Sequence, residues 1–135
     1  MLTFEGDYHT VTLASINPRP SKPIPVWFGG SAPALLSRCA RLGDGWIPLM
    51  GANDAARECI DTLKREREAA GLSWDGFGIQ AQAQYGGGTP ERWSKHAEKW
   101  RELGCTHLAI ATHNAGETDV DGHLGRIEEY LNVVR

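Results

Sequence analysis

Apolar positions along this chain alternate between two spacings. Val26-Trp27-Phe28 is a short β-branched and aromatic run that predicts a strand, ended by Gly29-Gly30. Leu35, Leu36, Cys39 and Leu42 then recur as one face of a helix, with Gly43 as its C-cap. Gly45-Trp46-Ile47-Pro48-Leu49 predicts a second short strand stopped by its proline, so the unit reads as a parallel strand pair with a right-handed helical crossover. Asn53 caps a second helix striped by Ala56, Cys59, Ile60, Leu63 and Ala70, while Lys64, Arg65, Glu66 and Glu68 face water and Gly71 ends it.

Residues 78–85 change to period two. Ile79, Ala81 and Ala83 take one face and Gln80, Gln82 and Gln84 the other. The apolar face should meet helices. The amide face then looks away from them, into a wet cavity, a ligand channel or a polar interface, or else belongs to an edge-like strand with one side in solvent. Gly86-Gly87-Gly88 reads as a mobile connection without a P-loop pattern. Thr89-Pro90 opens a third helix with Trp93, Ala97, Trp100 and Leu103 as its buried stripe and His96 beside it in a structural role. Residues 107–112 form a fourth strand, Thr118 to Asp121 offers a capping box, and Leu124, Ile127, Leu131 and Val134 stripe the last helix. Four strand–helix units in succession define an α/β chain with a parallel sheet. Residues 1–22 are poorly patterned and held extended by Pro18, Pro20 and Pro23, so the expected division is an extended segment 1–22 and an α/β domain 23–135.

Composition narrows the function classes. A net charge of −3 with no basic patch argues against nucleic acid. No stretch approaches the ~20 apolar residues of a membrane span, and the N-terminus carries no basic-then-apolar signal segment. Cys39, Cys59 and Cys105 are odd in number and widely spaced, and Cys39 and Cys59 sit in apolar helical phase, which predicts buried free thiols in a reducing, cytoplasmic setting. No His, Cys, Asp and Glu spacing suggests a metal set, and Gly-x-Ser-x-Gly does not occur. The cysteines lack adjacent activating bases, so no catalytic residue is assigned. Asp44 reads as a turn or backbone cap rather than a proton carrier. Gly29-Gly30-Ser31, between a strand and a helix N-terminus, has two readings: a tight turn that needs glycine, or a cradle of outward N–H groups for a phosphate.

The ordered residues GG-S-P and R-x-A-R-L-G-D-G-W-x-P, with the 54–71 helix and the Gly104-Cys105-Thr106-His107-Leu108 entry to the last strand, resemble the C-terminal half of the luciferase-like monooxygenase family. That family contains flavin- and deazaflavin (F420)-dependent oxidoreductases built as (β/α)8 barrels. The resemblance implies half a TIM barrel, because 135 residues fall well short of the roughly 250 a complete one needs. It implies F420 or FMN as cofactor, a small-molecule ligand, and Phe28, Gly29, Gly30, Ser31 and Trp46 as cofactor-binding residues. The family's first four strands carry much of its ring pocket. An open half sheet invites pairing at its edges, so the expected partner is a second copy, as a dimer or higher oligomer, or a separate N-terminal half barrel. Two half barrels facing each other and two flattened sheets stacked together are both compatible with this. The competing functions are a non-catalytic phosphate- or cofactor-binding module and a purely structural self-assembling half barrel.

Overall fold

The computed structural model describes residues 1–116 and 119–135. β1 (Leu2–Glu5) and β2 (Thr10–Ala14) pair as an antiparallel hairpin closed by the Gly6 N–H donating to the His9 carbonyl at 3.0 Å. The remaining elements follow as β3 (Trp27–Gly29), α1 (Pro33–Leu42), β4 (Gly45–Ile47), α2 (Asp54–Ala69), β5 (Gly78–Gln84), α3 (Pro90–Glu102), β6 (His107–Ala111) and α4 (Val120–Val134). The four later strands form one parallel sheet in the order β3-β4-β5-β6. This is the expected half of a (β/α)8 barrel.

The register sets which side chains share a face. Trp27 pairs with Gly45, Gly45 with Gly78, and Gln80 with His107. These residues, with Gln82 and Gln84, therefore line the face away from the helices. Phe28, Trp46, Ile79, Ala81, Ala83, Leu108 and Ile110 take the opposite face, where helices cover them. The period-two reading of β5 is thus realised on a central strand, and Gln82 and Gln84 stand in solvent.

Helix ends follow the sequence closely. Asn53 accepts from Ala56 N–H at 3.1 Å and Thr89 accepts from Arg92 N–H at 3.4 Å. The capping box at Thr118 lies outside the described residues; α4 is capped by Asp119, which accepts from Gly122 N–H at 2.8 Å. Gly43 caps α1 with φ −95°, so a left-handed turn is not its reason for being glycine. A Cβ there would come 2.7 Å from the Cys39 carbonyl and 3.0 Å from the Phe28 ring.

The helix stripes need three corrections. Leu42 is 68% exposed, and Ala40 takes the buried place assigned to it. Ala70 is the exposed C-cap of α2. Leu124 is exposed, and Tyr130 anchors α4 instead. All three errors have one cause. Periodicity assumes a neighbour along the whole helix, whereas Leu42 and Ala70 lie at helix ends and α4 follows β6, the last strand of an open sheet. By contrast the α3 stripe of Trp93, Ala97 and Trp100 is buried as expected.

Arg67 has a structural role that its sequence context hid. Its guanidinium donates to the Ala40 and Gly43 carbonyls, each at 3.0 Å, and to the Ser73 carbonyl at 2.9 and 3.0 Å. It also lies 4.5 Å from the centre of the Phe77 ring. One side chain thus joins the end of α1 to the α2–β5 connection. Arg67→Met keeps most of the stem but removes these donors, and is expected to lower the urea midpoint by the equivalent of about 1–2 kcal/mol.

Candidate functional site

The C-terminal rim of the parallel sheet is where this architecture holds ligands. Its most organised part is the turn after β3. Gly30 has φ +117°, a backbone state that L side chains rarely adopt. Its N–H donates to the Ile47 carbonyl at 3.2 Å, and its own carbonyl accepts the Trp46 Nε1–H at 2.7 Å. The turn is therefore pinned from the neighbouring strand at two points. Ser31 is exposed, and α1 begins just beyond it with Ala32 as N-cap and Pro33 in the first turn. No side chain caps this helix and no acidic residue sits in its first turn. The positive end of the helix dipole therefore lies beside Gly29, Gly30 and Ser31 with no acidic residue in the first turn to offset it.

The structure separates the five expected cofactor-binding residues into two groups. Gly29, Gly30 and Ser31 form the rim turn. Phe28 packs among Leu36, Cys39 and their neighbours on the helix side. Trp46 is fully buried. Phe28 and Trp46 therefore shape the turn from beneath, and their rings do not reach the open face of the sheet. Strand parity is the reason: each is one residue out of step with the inward positions Trp27, Gly29, Gly45 and Ile47.

Asp44 lies at the opposite end of β4. Its carboxylate accepts the Val26 N–H at 2.8 Å and its backbone N–H donates to the Val26 carbonyl at 2.8 Å, so it aligns the starts of two strands. Elsewhere on the rim, Tyr85 donates to Glu129 at 2.5 Å and accepts from Arg126 at 3.0 Å. Hydrogen bonding to Glu129, ahead of burial, raises the Tyr85 pKa above the ordinary phenol value. Thr112 Oγ1 and His123 Nδ1 lie 2.9 Å apart. Among the described residues no three His, Cys, Asp or Glu side chains converge as a metal site. Of the cysteines only Cys39 is buried, and burial pushes its thiol up to about 11.

Two features escaped the sequence reading. The Trp27 ring lies across Gly45 and Gly78 and meets His107 edge-on with centroids 5.3 Å apart, flooring the N-terminal end of the inner face. The signal was a tryptophan in register with glycines on the next two strands. The second feature is the Gly86–Gly88 loop, which packs closely instead of hanging free. A Cβ at Gly86 would lie 2.5 Å from the Asn114 carbonyl and one at Gly88 2.0 Å from Trp93 Nε1.

His96 carries a pH-dependent contribution to stability. Burial lowers its pKa below the ordinary imidazole value, so folding holds the ring neutral. The unfolded chain takes up the proton first. The contribution is therefore complete above the unfolded pKa of about 6.5 and declines as the pH falls through it towards the lowered folded value. Thermal melts on either side of that pH should show a smaller acid-side loss for His96→Asn than for the native chain.

The luciferase-like monooxygenase family model matches residues 1–118. An uncharacterized protein of Mycobacterium tuberculosis is 36% identical over 85 residues, covering 56% of this chain and 29% of that protein. An F420-dependent glucose-6-phosphate dehydrogenase of Nakamurella multipartita is 40% identical over 50 residues, covering 37% and 15% respectively. Among solved structures, an F420-dependent secondary alcohol dehydrogenase in complex with an F420-acetone adduct superposes with a TM-score of 0.74 at 15% identity, over 99% of this chain and 56% of that one. A coenzyme F420-dependent tetrahydromethanopterin reductase from Methanopyrus kandleri gives 0.50 at 16% identity, over 97% and 49%. The chain thus spans about half the length of these solved proteins. Among the described residues no helix is long and apolar enough to cross a membrane.

Proposed function

This chain belongs to the luciferase-like monooxygenase family, and from that premise we propose that it is a half-barrel oxidoreductase module whose Gly29-Gly30-Ser31 turn holds the phosphate-bearing end of F420, with FMN as the rival cofactor. The observation that carries this reading is the turn itself. Gly30 adopts a backbone that L side chains rarely take, is fixed by Trp46 and Ile47, and stands at an uncapped helix N-terminus with no acidic residue in its first turn. F420 is favoured over FMN because several relatives are named F420-dependent enzymes.

The bound cofactor would supply the redox chemistry, and the protein's part is to seat and enclose it. The Gly30 N–H is already used on the Ile47 carbonyl, so the Ser31 hydroxyl and the uncapped start of α1 are what the turn offers, while Trp46 and Phe28 hold it in place from the helix side. Enclosure needs more than these four units. The inner face with Gln82 and Gln84 is open to solvent, and both β3 and β6 are edge strands. In this reading the chain corresponds to the C-terminal half of its family's barrel. The other half comes from a second copy across a two-fold axis or from a separate N-terminal half barrel.

Parallel fluorescence titrations of the purified chain with F420 and FMN test the cofactor site. Saturable binding is expected, tighter for F420. Ser31→Glu, which places a carboxylate at the helix N-terminus, should weaken it by about tenfold or more. Absence of binding for both at tens of micromolar would sink the cofactor reading. Sedimentation of the same sample reads the assembly, and a strict monomer would leave the separate half barrel as the partner to seek.

A further inference from the structure

A hollow of about 200 Å³ lies at the end of β5, between the Gly86–Gly88 loop and the first turns of α3, where Arg92, Trp93 and His96 line it. Two ring N–H groups are left without partners there. Trp93 is 5% exposed, and its Nε1 is buried with no hydrogen bond. His96 Nε2 accepts the Trp100 Nε1–H at 3.1 Å, so the neutral ring carries its proton on Nδ1. That Nδ1 is also buried and unpartnered. Native structures rarely leave such donors unmade, and an ion or water is the usual partner when they do.

The surroundings select between those two partners. Arg92 brings a guanidinium to the hollow, its Nη1 3.4 Å from the Gly87 carbonyl. No carboxylate lines it; Glu91 of the same turn is exposed and is not among its lining residues. The start of α3 beside the hollow is already capped by Thr89 and carries Glu91 in its first turn, so the pull on an anion rests on Arg92 and the two ring donors. Arg92, Trp93 and His96 thus bring a positive charge and two unpartnered ring donors to one hollow that no carboxylate lines.

We propose that this hollow is a second anion site that takes a small oxyanion, of phosphate or sulfate size, on Trp93 Nε1–H, His96 Nδ1–H and the Arg92 guanidinium. It is separate from the Gly29–Ser31 turn and does not depend on the cofactor reading. Gly88 covers the Trp93 Nε1 so closely that a Cβ would lie 2.0 Å from it. An oxygen can take the place of that contact only if the Gly86–Gly88 loop lifts from the indole edge. The size of the hollow admits a free ion or the terminal phosphate of a larger ligand.

Two tryptophans make the two sites separately readable. Trp46 Nε1–H reports the Gly30 turn, to which it donates, and Trp93 Nε1–H reports the hollow. In ¹H–¹⁵N spectra of the full chain, with indole signals assigned through Trp→Phe variants, inorganic phosphate at constant ionic strength should move the Trp93 signal saturably. Arg92→Gln should weaken that response about tenfold, with the melting temperature unchanged. Ser31→Glu should leave it intact while removing any response at Trp46. A phosphate monoester run in parallel distinguishes the free ion from the end of a larger ligand by which saturates first. A Trp93 signal that phosphate does not move, or that chloride moves equally, overturns the proposal and assigns the donors to buried water.

Discussion

Trp46→Ala is expected to leave a chain that barely folds at room temperature. Trp46 is fully buried in the largest apolar cluster, with Leu36, Cys39, Ile60, Leu63, Phe77 and Ile79 around it. Truncating a buried tryptophan costs about 3–5 kcal/mol, because the neighbouring side chains only partly fill the space. A domain of this size has a total stability of about 5–15 kcal/mol, so most or all of the margin is removed. Urea unfolding followed by near-ultraviolet circular dichroism should show a collapsed midpoint. Trp46→Phe separates packing from hydrogen bonding. It keeps an aromatic ring but leaves the Gly30 carbonyl without its 2.7 Å donor. The expected cost is about 1–2 kcal/mol, together with weaker F420 binding from a loosened turn. A Phe variant that loses stability but binds cofactor normally would detach Trp46 from the site.

Gly78→Ala is the second large effect, and its cause lies on the opposite face of the sheet. A Cβ at Gly78 would fall 2.1 Å from Trp27 Cη2, and one at Gly45 2.4 Å from Trp27 Cε3. The ring cannot simply slide aside, since His107 stands against it. Overpacking of this kind costs about 1–3 kcal/mol. Trp27→Leu in the same chain should recover much of the loss, making the pair strongly non-additive. Equal costs for Gly78→Ala with and without Trp27 would rule out this packing as the reason for the glycine.

The elements were legible because each rests on local physics. The Asn53 and Thr89 caps, the Pro90 helix start and the α3 tryptophans depend on residues within a turn or two of one another. The parallel sheet followed from short strands alternating with helices. The rim turn was legible as a pair of readings, and the φ of Gly30 with its two tethers shows why the turn needs glycine there. Phe28 and Trp46 were less legible. Their position beside the turn was plain, but the side of the sheet they occupy depends on strand parity relative to β3 and β4. Leu42, Ala70 and Leu124 were misjudged because helical period describes a face and says nothing of where its neighbour ends.

By itself, then, the sequence determined the order and type of the α/β elements, most of their caps, the apolar side of each central helix and the place of a Gly-Gly-Ser turn that it left open to two readings. These are consequences of periods and of short-range backbone chemistry. Tertiary structure decided what depends on register between distant strands and on which helix ends meet. It laid Trp27 over two glycines from other strands, put Arg67 against the carbonyls ending α1, and turned Trp46 beneath Gly30. It also brought the unpartnered Trp93 and His96 donors to one hollow, closed by a loop whose glycine admits the indole edge.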